Sequence, residues 1–200
     1  MNKQYQQIID YVLEAGKRLK SKAGQIDDIG VTKKYLTEED LRIERDLKNI
    51  VETFGSDHKV FAEEENDMFE ASENVWVIDP ISGTSTFISG LPHYAIVVSH
   101  LYKGETFFAV VYDPSVDELY LVEKGKGAFC NGQKITVSKE NKLRIIIAVT
   151  FPSIKEENKE IKKITEFDVK VYRNRNSYAI NYCWVAAGRY SGVAAKSHDA

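Results

Sequence analysis

Acidic side chains and hydroxyls recur in this chain where short apolar runs end. Residues 75–78 read as a strand that Asp79-Pro80 stops, because proline drives the residue before it toward extended geometry. Asp79 is therefore expected at a strand's carboxyl end, the edge where open α/β sheets gather ligands. Ile81-Ser82-Gly83 follows, and Gly83 lets the backbone come close to a bound group. Thr84, Ser85 and Thr86 then supply hydroxyls and a helix N-cap, and free N–H groups at a helix start favour an anion. Upstream, Val60-Phe61 leads into Ala62-Glu63-Glu64-Glu65, and Thr37-Glu38-Glu39-Asp40 opens a helical pattern. Taken singly, these segments also read as an Asp-Pro turn, a solvated acidic loop and a capped helix.

The elements that must position these groups follow from periodicity. Ile8, Ile9, Val12, Leu13, Ala15 and Leu19 fall at helical spacing and predict an amphipathic helix to about Lys22. Residues 25–34 are polar and read as a loop. Thr37 caps a second helix with Leu41, Leu47, Ile50 and Val51 on one face and Gly55 at its end, so Asp40 lies in the first turn, where the dipole favours a carboxylate. Strands are predicted over 75–78, 95–101, 106–112, 119–123 and 128–130. Short turns at Lys103-Gly104, Asp113-Pro114 and Gly125-Lys126-Gly127 make much of this sheet antiparallel, and Asn131-Gly132 marks a hairpin. From Leu143 a second unit is expected, with strands over 145–149 and 169–172, a charged helix over 156–164 and an apolar helix over 177–188. Ile180, Cys183, Trp184 and Ala187 are expected in the core, as are Tyr94 and Tyr102. The predicted organisation is an N-terminal α+β domain over 1–142 that carries the acidic loop, and a partial C-terminal α/β domain over 143–200.

Composition bounds the class. Two hundred residues, 43% hydrophobic and 28% charged with a net charge of −3, suit a globular protein with a sizeable core. The slightly acidic balance argues against a nucleic-acid surface, and no apolar run reaches membrane-spanning length. The N-terminus lacks an apolar leader, and Cys130 and Cys183 have no CxxC partner, so free thiols in a reducing cytoplasm are expected. His58, His93, His100 and His198 show no metal-ligand spacing.

The order Asp40, Glu63-Glu64, Asp79-Pro80-Ile81-Ser82-Gly83-Thr84 resembles the inositol monophosphatase family of magnesium-dependent, lithium-sensitive phosphatases. The resemblance extends through Glu118-Leu119-Tyr120, Glu123 to Phe129, Asn131-Gly132 and Val137-Ser138. It implies an α/β (α+β) protein with the layered α-β-α-β-α sugar-phosphatase fold, its C-terminal part incomplete. It also implies Mg2+ as cofactor and a small phosphorylated metabolite as substrate; members are often homodimers, and the oligomeric state of this chain, read as cytoplasmic, stays open. Glu63, Asp79, the Ile81 carbonyl and the Ser82 position would hold the metal. Glu64 would orient the attacking water, Thr84 with Asp40 would activate it, and Gly83, Thr84 and Ser85 would hold the phosphate.

This sequence departs from the family at Ser82, where members carry an aspartate that bridges two cations. Serine offers a neutral oxygen, so the first cation site is expected to survive weakly and the second to be largely lost. In the segment Arg173 to Ala179, Asn176 and Tyr178 replace a glycine and an alanine, and Ser191 replaces an aspartate. Members continue past a late Trp-Asp; Asp199 matches that aspartate, or the match lies beyond Ala200, and a truncated chain is expected. Two functions stay open: an impaired sugar- or inositol-phosphate phosphatase, and a degenerate member acting as a binding or dimer-partner protein.

Overall fold

The computed structural model describes residues 2–31, 34–64, 72–139, 144–148, 162–163, 170–174 and 177–194. The Asn2 side chain accepts the Gln4 N–H and starts helix α1 (Lys3–Lys22), which buries Tyr5, Ile8, Ile9, Val12, Ala15, Gly16 and Leu19. This is the predicted helix, and of the predicted face Leu13 alone is half-buried. Helix α2 (Glu38–Glu52) begins with a capping box in which Thr37 and Asp40 satisfy each other's backbone N–H groups. Its inward face differs from the expectation: Ile43 is buried and Leu41 only half-buried, while Glu39, Asp40 and Glu44 are buried as well. Glu39 and Glu44 are paired there with Lys22 and Lys48, at 2.7 and 3.0 Å.

The first sheet has seven strands in chain order: β1 (His58–Ala62), β2 (Asn74–Ser82), β3 (Ala95–Tyr102), β4 (Glu105–Asp113), β5 (Glu118–Glu123), β6 (Gly127–Cys130) and β7 (Gln133–Lys134). β1 pairs parallel to β2 and every later pair is antiparallel. Asn131 and Gly132, both at positive φ, make the β6–β7 hairpin. One expectation fails usefully. β2 does not stop at Asp79-Pro80 but runs on to Ser82, with a bulge between the pairs Asp79–Val97 and Ser82–Ala95. A bulge leaves a residue without a ladder partner, so proline, which has no N–H to donate, fits there.

α1 and α2 pack on one face of this sheet, where Phe108, Val110 and Tyr112 of β4 join Trp76, Ile78 and the α1 residues in one core. Helix α3 (Thr84–Ile88) follows β2 directly. The opposite face of β3 and β4 meets helix α4 (Tyr178–Ala186), which also touches β8 (Arg144–Ala148) and β10 (Gly192–Ala194). With β9 (Lys170–Asn174), these strands form a parallel sheet in the order β10-β8-β9. The layers therefore run helices, sheet, helix, sheet. Ile180 and Tyr94 are buried as expected, whereas Tyr102, Cys183, Trp184 and Ala187 are half-buried. Both cysteines are free and half-buried. The predicted charged helix over 156–164 lies almost wholly outside the described residues.

Candidate functional site

Three segments bring the acidic groups to one edge of the first sheet: the first turn of α2, the end of β1 and the bulged end of β2. The fully buried Asp40 is held by its own helix cap. Its Oδ2 accepts from the Thr37 N–H at 2.8 Å and from the Thr37 hydroxyl at 2.5 Å. Its Oδ1 faces the next segment, where the Thr84 hydroxyl lies 3.4 Å away. The same hydroxyl donates to the Ile81 carbonyl at 2.8 Å.

β1 pairs in register with β2, setting Ala62 opposite Ile78, so the chain leaves β1 beside Asp79. Glu63 is exposed and Glu64 half-buried; the Glu64 N–H donates to Glu44 Oε2 on α2 at 2.9 Å, fixing the acidic loop to the helix. Asp79 meets the Glu63 carboxylate and the Ser82 hydroxyl through hydrogen bonds. Its Oδ1 is buried and has no hydrogen-bond partner.

Electrostatics describe these groups as one cluster. Burial, then the charge of Glu63 and its hydrogen bond, hold the Asp79 carboxyl well above the usual carboxylate range; Ser82 opposes this and Asp40 adds to it. Asp40 is pushed up to about 7 by burial, with the two Thr37 hydrogen bonds pulling it down and Glu64 and Glu63 pushing it up. Like charges gathered in a partly dry site are costly unless a proton or a cation accompanies them.

The cap expectation at α3 needs correction. The cap position is Gly83, at φ 90° and without a side-chain cap bond. Thr84 is instead the first helical residue, and its hydroxyl closes the bulge against Ile81. The half-buried Ser85 supplies its carbonyl to the N–H and hydroxyl of Ser89 at 3.1 and 2.8 Å, and Thr86 is buried.

Ser82 is 8% exposed, and its hydroxyl accepts from Ser177 Oγ, the N-cap of α4, at 2.8 Å. Sequence reasoning missed Ser177 as a partner of this loop, since no spacing rule joins positions so far apart. A Cβ on Gly83 would stand 3.1 Å from the Ser177 backbone nitrogen, so glycine here serves both the left-handed turn and the close approach of α4. Asp199 and the segment 175–176 lie outside the described residues.

The fit to a cation can be judged from these groups. Mg2+ takes oxygen ligands, keeps several waters and needs only one or two carboxylates from the protein. Glu63, Asp79 with its unpartnered Oδ1, and the second lone pair of the Ile81 carbonyl match that need. A pair of cations is a poorer match. Among the described residues no three His, Cys, Asp or Glu side chains converge as a metal-binding group, and Ser82 engages two protein partners.

The family model for the inositol monophosphatase family matches residues 2–198. The chain belongs to the inositol monophosphatase family. Within the family, the Thermotoga maritima fructose-1,6-bisphosphatase/inositol-1-monophosphatase is 32% identical over 169 residues, which cover 83% of this chain and 65% of that protein. The Vibrio cholerae Nus factor SuhB is 29% identical over 189 residues, 90% of this chain and 71% of that one. A solved Thermotoga maritima IMPase superposes with a TM-score of 0.82 at 28% identity, over 94% of this chain and 74% of the other. The chain thus spans about two thirds of the length of the first of these relatives. Its layered fold is that of the inositol monophosphatases. No helix among the described residues is long and apolar enough to cross a membrane.

Proposed function

We propose that this chain binds one divalent cation, Mg2+ by preference, together with the phosphate of a small sugar- or inositol-type monoester, and hydrolyses that ester slowly. One observation carries the reading: Asp79 keeps a buried oxygen without a partner while it faces the Glu63 carboxylate. A buried carboxyl oxygen in that state, beside a second carboxylate, favours either a proton or a cation, and a cation would displace the proton that the pair holds.

Phosphoryl transfer asks the protein mainly to position groups and neutralise charge. When bound between Glu63, Asp79 and the Ile81 carbonyl, the cation supplies positive charge for the phosphoryl oxygens and acidity to a coordinated water. Thr84 is placed to pass a proton toward Asp40, because its hydroxyl lies between Asp40 Oδ1 and the Ile81 carbonyl. Glu64, held to α2 through its backbone, orients the attacking water. The bond from phosphorus to the ester oxygen breaks as the water oxygen attaches; one water proton goes by Thr84 to Asp40, the other stays on the product phosphate, and a solvent proton neutralises the leaving alkoxide. Gly83, Thr84 and Ser85 face the phosphate through the backbone of the turn.

The Ser82 hydroxyl is committed to Asp79 and Ser177, so the leaving oxygen has no second charged partner from this loop. That is the reason for slow turnover. A second reading, a binding protein without turnover, is favoured by the same commitment and by the name of the Vibrio cholerae relative, a Nus factor. Phosphate release from inositol-1-phosphate in excess Mg2+, measured for this chain and for Ser82→Asp, separates them. Slow release that Ser82→Asp accelerates supports the first reading; none from either supports the second, and equal rapid release from both refutes the account of Ser82.

A further inference from the structure

Away from the acidic cluster, His93 occupies an unusual place. Its backbone is left-handed, at φ 72°, a conformation uncommon among residues with a Cβ. Asp113 at the end of β4 and Ser115 in the turn that follows hold it there. The His93 N–H donates to Ser115 Oγ at 3.0 Å, and the ring Nδ1 lies 2.9 Å from Oδ2 of Asp113, which is fully buried. A carboxylate accepts, so Nδ1 is the protonated nitrogen by assignment from its partner. Asp113 Oδ1 in turn accepts the Ser115 hydroxyl at 2.6 Å and the Ser115 N–H at 2.9 Å, which closes a tight polar ring.

The other side of His93 faces α4. Its carbonyl accepts the Ser177 N–H at 3.1 Å, and its ring meets Trp184 edge-on at 4.9 Å between centroids. Ser177 is the residue whose hydroxyl reaches Ser82 and whose backbone abuts Gly83. One residue therefore grips the end of β4 with its ring, the following turn with its N–H, and the start of α4 with its carbonyl.

We infer that His93 is a positioning residue: with Asp113 as its anchor, it sets the N-terminus of α4 against the Ser82-Gly83 turn and so fixes the geometry of the proposed phosphate loop. Its consequence for ligand binding rests on the reading of that loop given above.

The test compares backbone hydrogen exchange in the full chain for wild type, His93→Gly and His93→Asn. Glycine keeps the left-handed backbone but loses the ring; asparagine tolerates that backbone and carries an amide N–H close to the position of Nδ1. The expected result is exchange about tenfold faster at 82–88 and 177–186 in His93→Gly, the size set by losing one hydrogen bond to a buried carboxylate. Exchange in α1 should stay unchanged, and His93→Asn should restore most of the protection. Faster exchange confined to 91–95 and 113–117, equal acceleration in α1, or no rescue by asparagine each overturns the proposal. A parallel titration with inorganic phosphate in the presence of Mn2+ should show weaker binding in His93→Gly, and unchanged affinity there also overturns it. If wild type binds no phosphate yet the exchange pattern appears, the clamp stands and the phosphate reading falls.

Discussion

The Ser177 hydroxyl donates to the Ser82 hydroxyl at 2.8 Å, joining the cap of α4 to the bulged end of β2. Ser82 also hydrogen-bonds Asp79, so a short line of hydroxyls ends on the carboxylate that faces Glu63. A line of neutral groups can orient Asp79 but supplies no charge of its own. At position 82 the sheet edge thus carries a neutral hydroxyl beside the carboxyl groups of Asp79 and Glu63.

The α2 cap is expected to matter for both stability and the site. Thr37 is fully buried and gives Asp40 two hydrogen bonds. Thr37→Ala should cost about 1–2 kcal/mol, since it removes a helix cap, and Thr37→Ser should recover most of that. Urea denaturation of the three proteins checks it. Equal stability of Thr37→Ala and wild type would show that Asp40 does not depend on the cap.

Gly16 gives a prediction in which two effects compete. It lies inside α1, where alanine is favoured over glycine by about 1 kcal/mol on propensity alone. A Cβ at Gly16 would stand 2.2 Å from Tyr112 Cε1, and the Tyr112 ring is tied at its hydroxyl to Asp117 Oδ1 at 2.8 Å. Forcing a methyl into such a contact costs roughly 1–3 kcal/mol. The steric effect should win, so Gly16→Ala lowers the urea midpoint, and a raised midpoint would contradict this account of α1 on β4.

The far end of the sheet should respond to acid. Tyr5 OH lies 3.0 Å from His100 Nδ1, His100 Nε2 lies 3.1 Å from Asn74 Oδ1, and Trp76 stacks on the ring at 4.5 Å. Burial, helped by the nearby His58, pushes His100 down to about 4. The unfolded chain keeps an ordinary imidazole near 6.5, so between these values it binds more protons than the folded chain. The stabilisation is complete above pH 6.5 and is lost as pH falls toward 4. From pH 6.5 to 5 the loss should be about 1–1.5 kcal/mol. His100→Leu should flatten this part of the profile, even though the variant is less stable overall. A profile unchanged by His100→Leu would show that the ring is not the group responsible.

Much of this architecture was readable from the residues, for physical reasons that also explain the gaps. α1 and α2 announced themselves through helical spacing and caps, which are local, and the antiparallel strands through short turns such as Asn131-Gly132. The extension of β2 past Pro80 was not readable, because it exists only through pairing with β3. The acidic residues were legible as a set, Asp40, Glu63, Glu64 and Asp79, but not their mutual effects, which arise from burial. Ser177 and His93 were missed for the same reason: each acts through contacts with residues distant in the chain. Histidine spacing gave no hint that His58 accepts the Trp76 indole N–H at 2.8 Å.

The most direct test of the central claim is a calorimetric titration of the whole chain with Mn2+, beside Asp79→Asn and Glu63→Gln. The account predicts one ion per wild-type chain, with binding weakened at least about tenfold in either variant through loss of a charged ligand. Wild type that takes up no ion, or binding that survives Asp79→Asn unchanged, would contradict it.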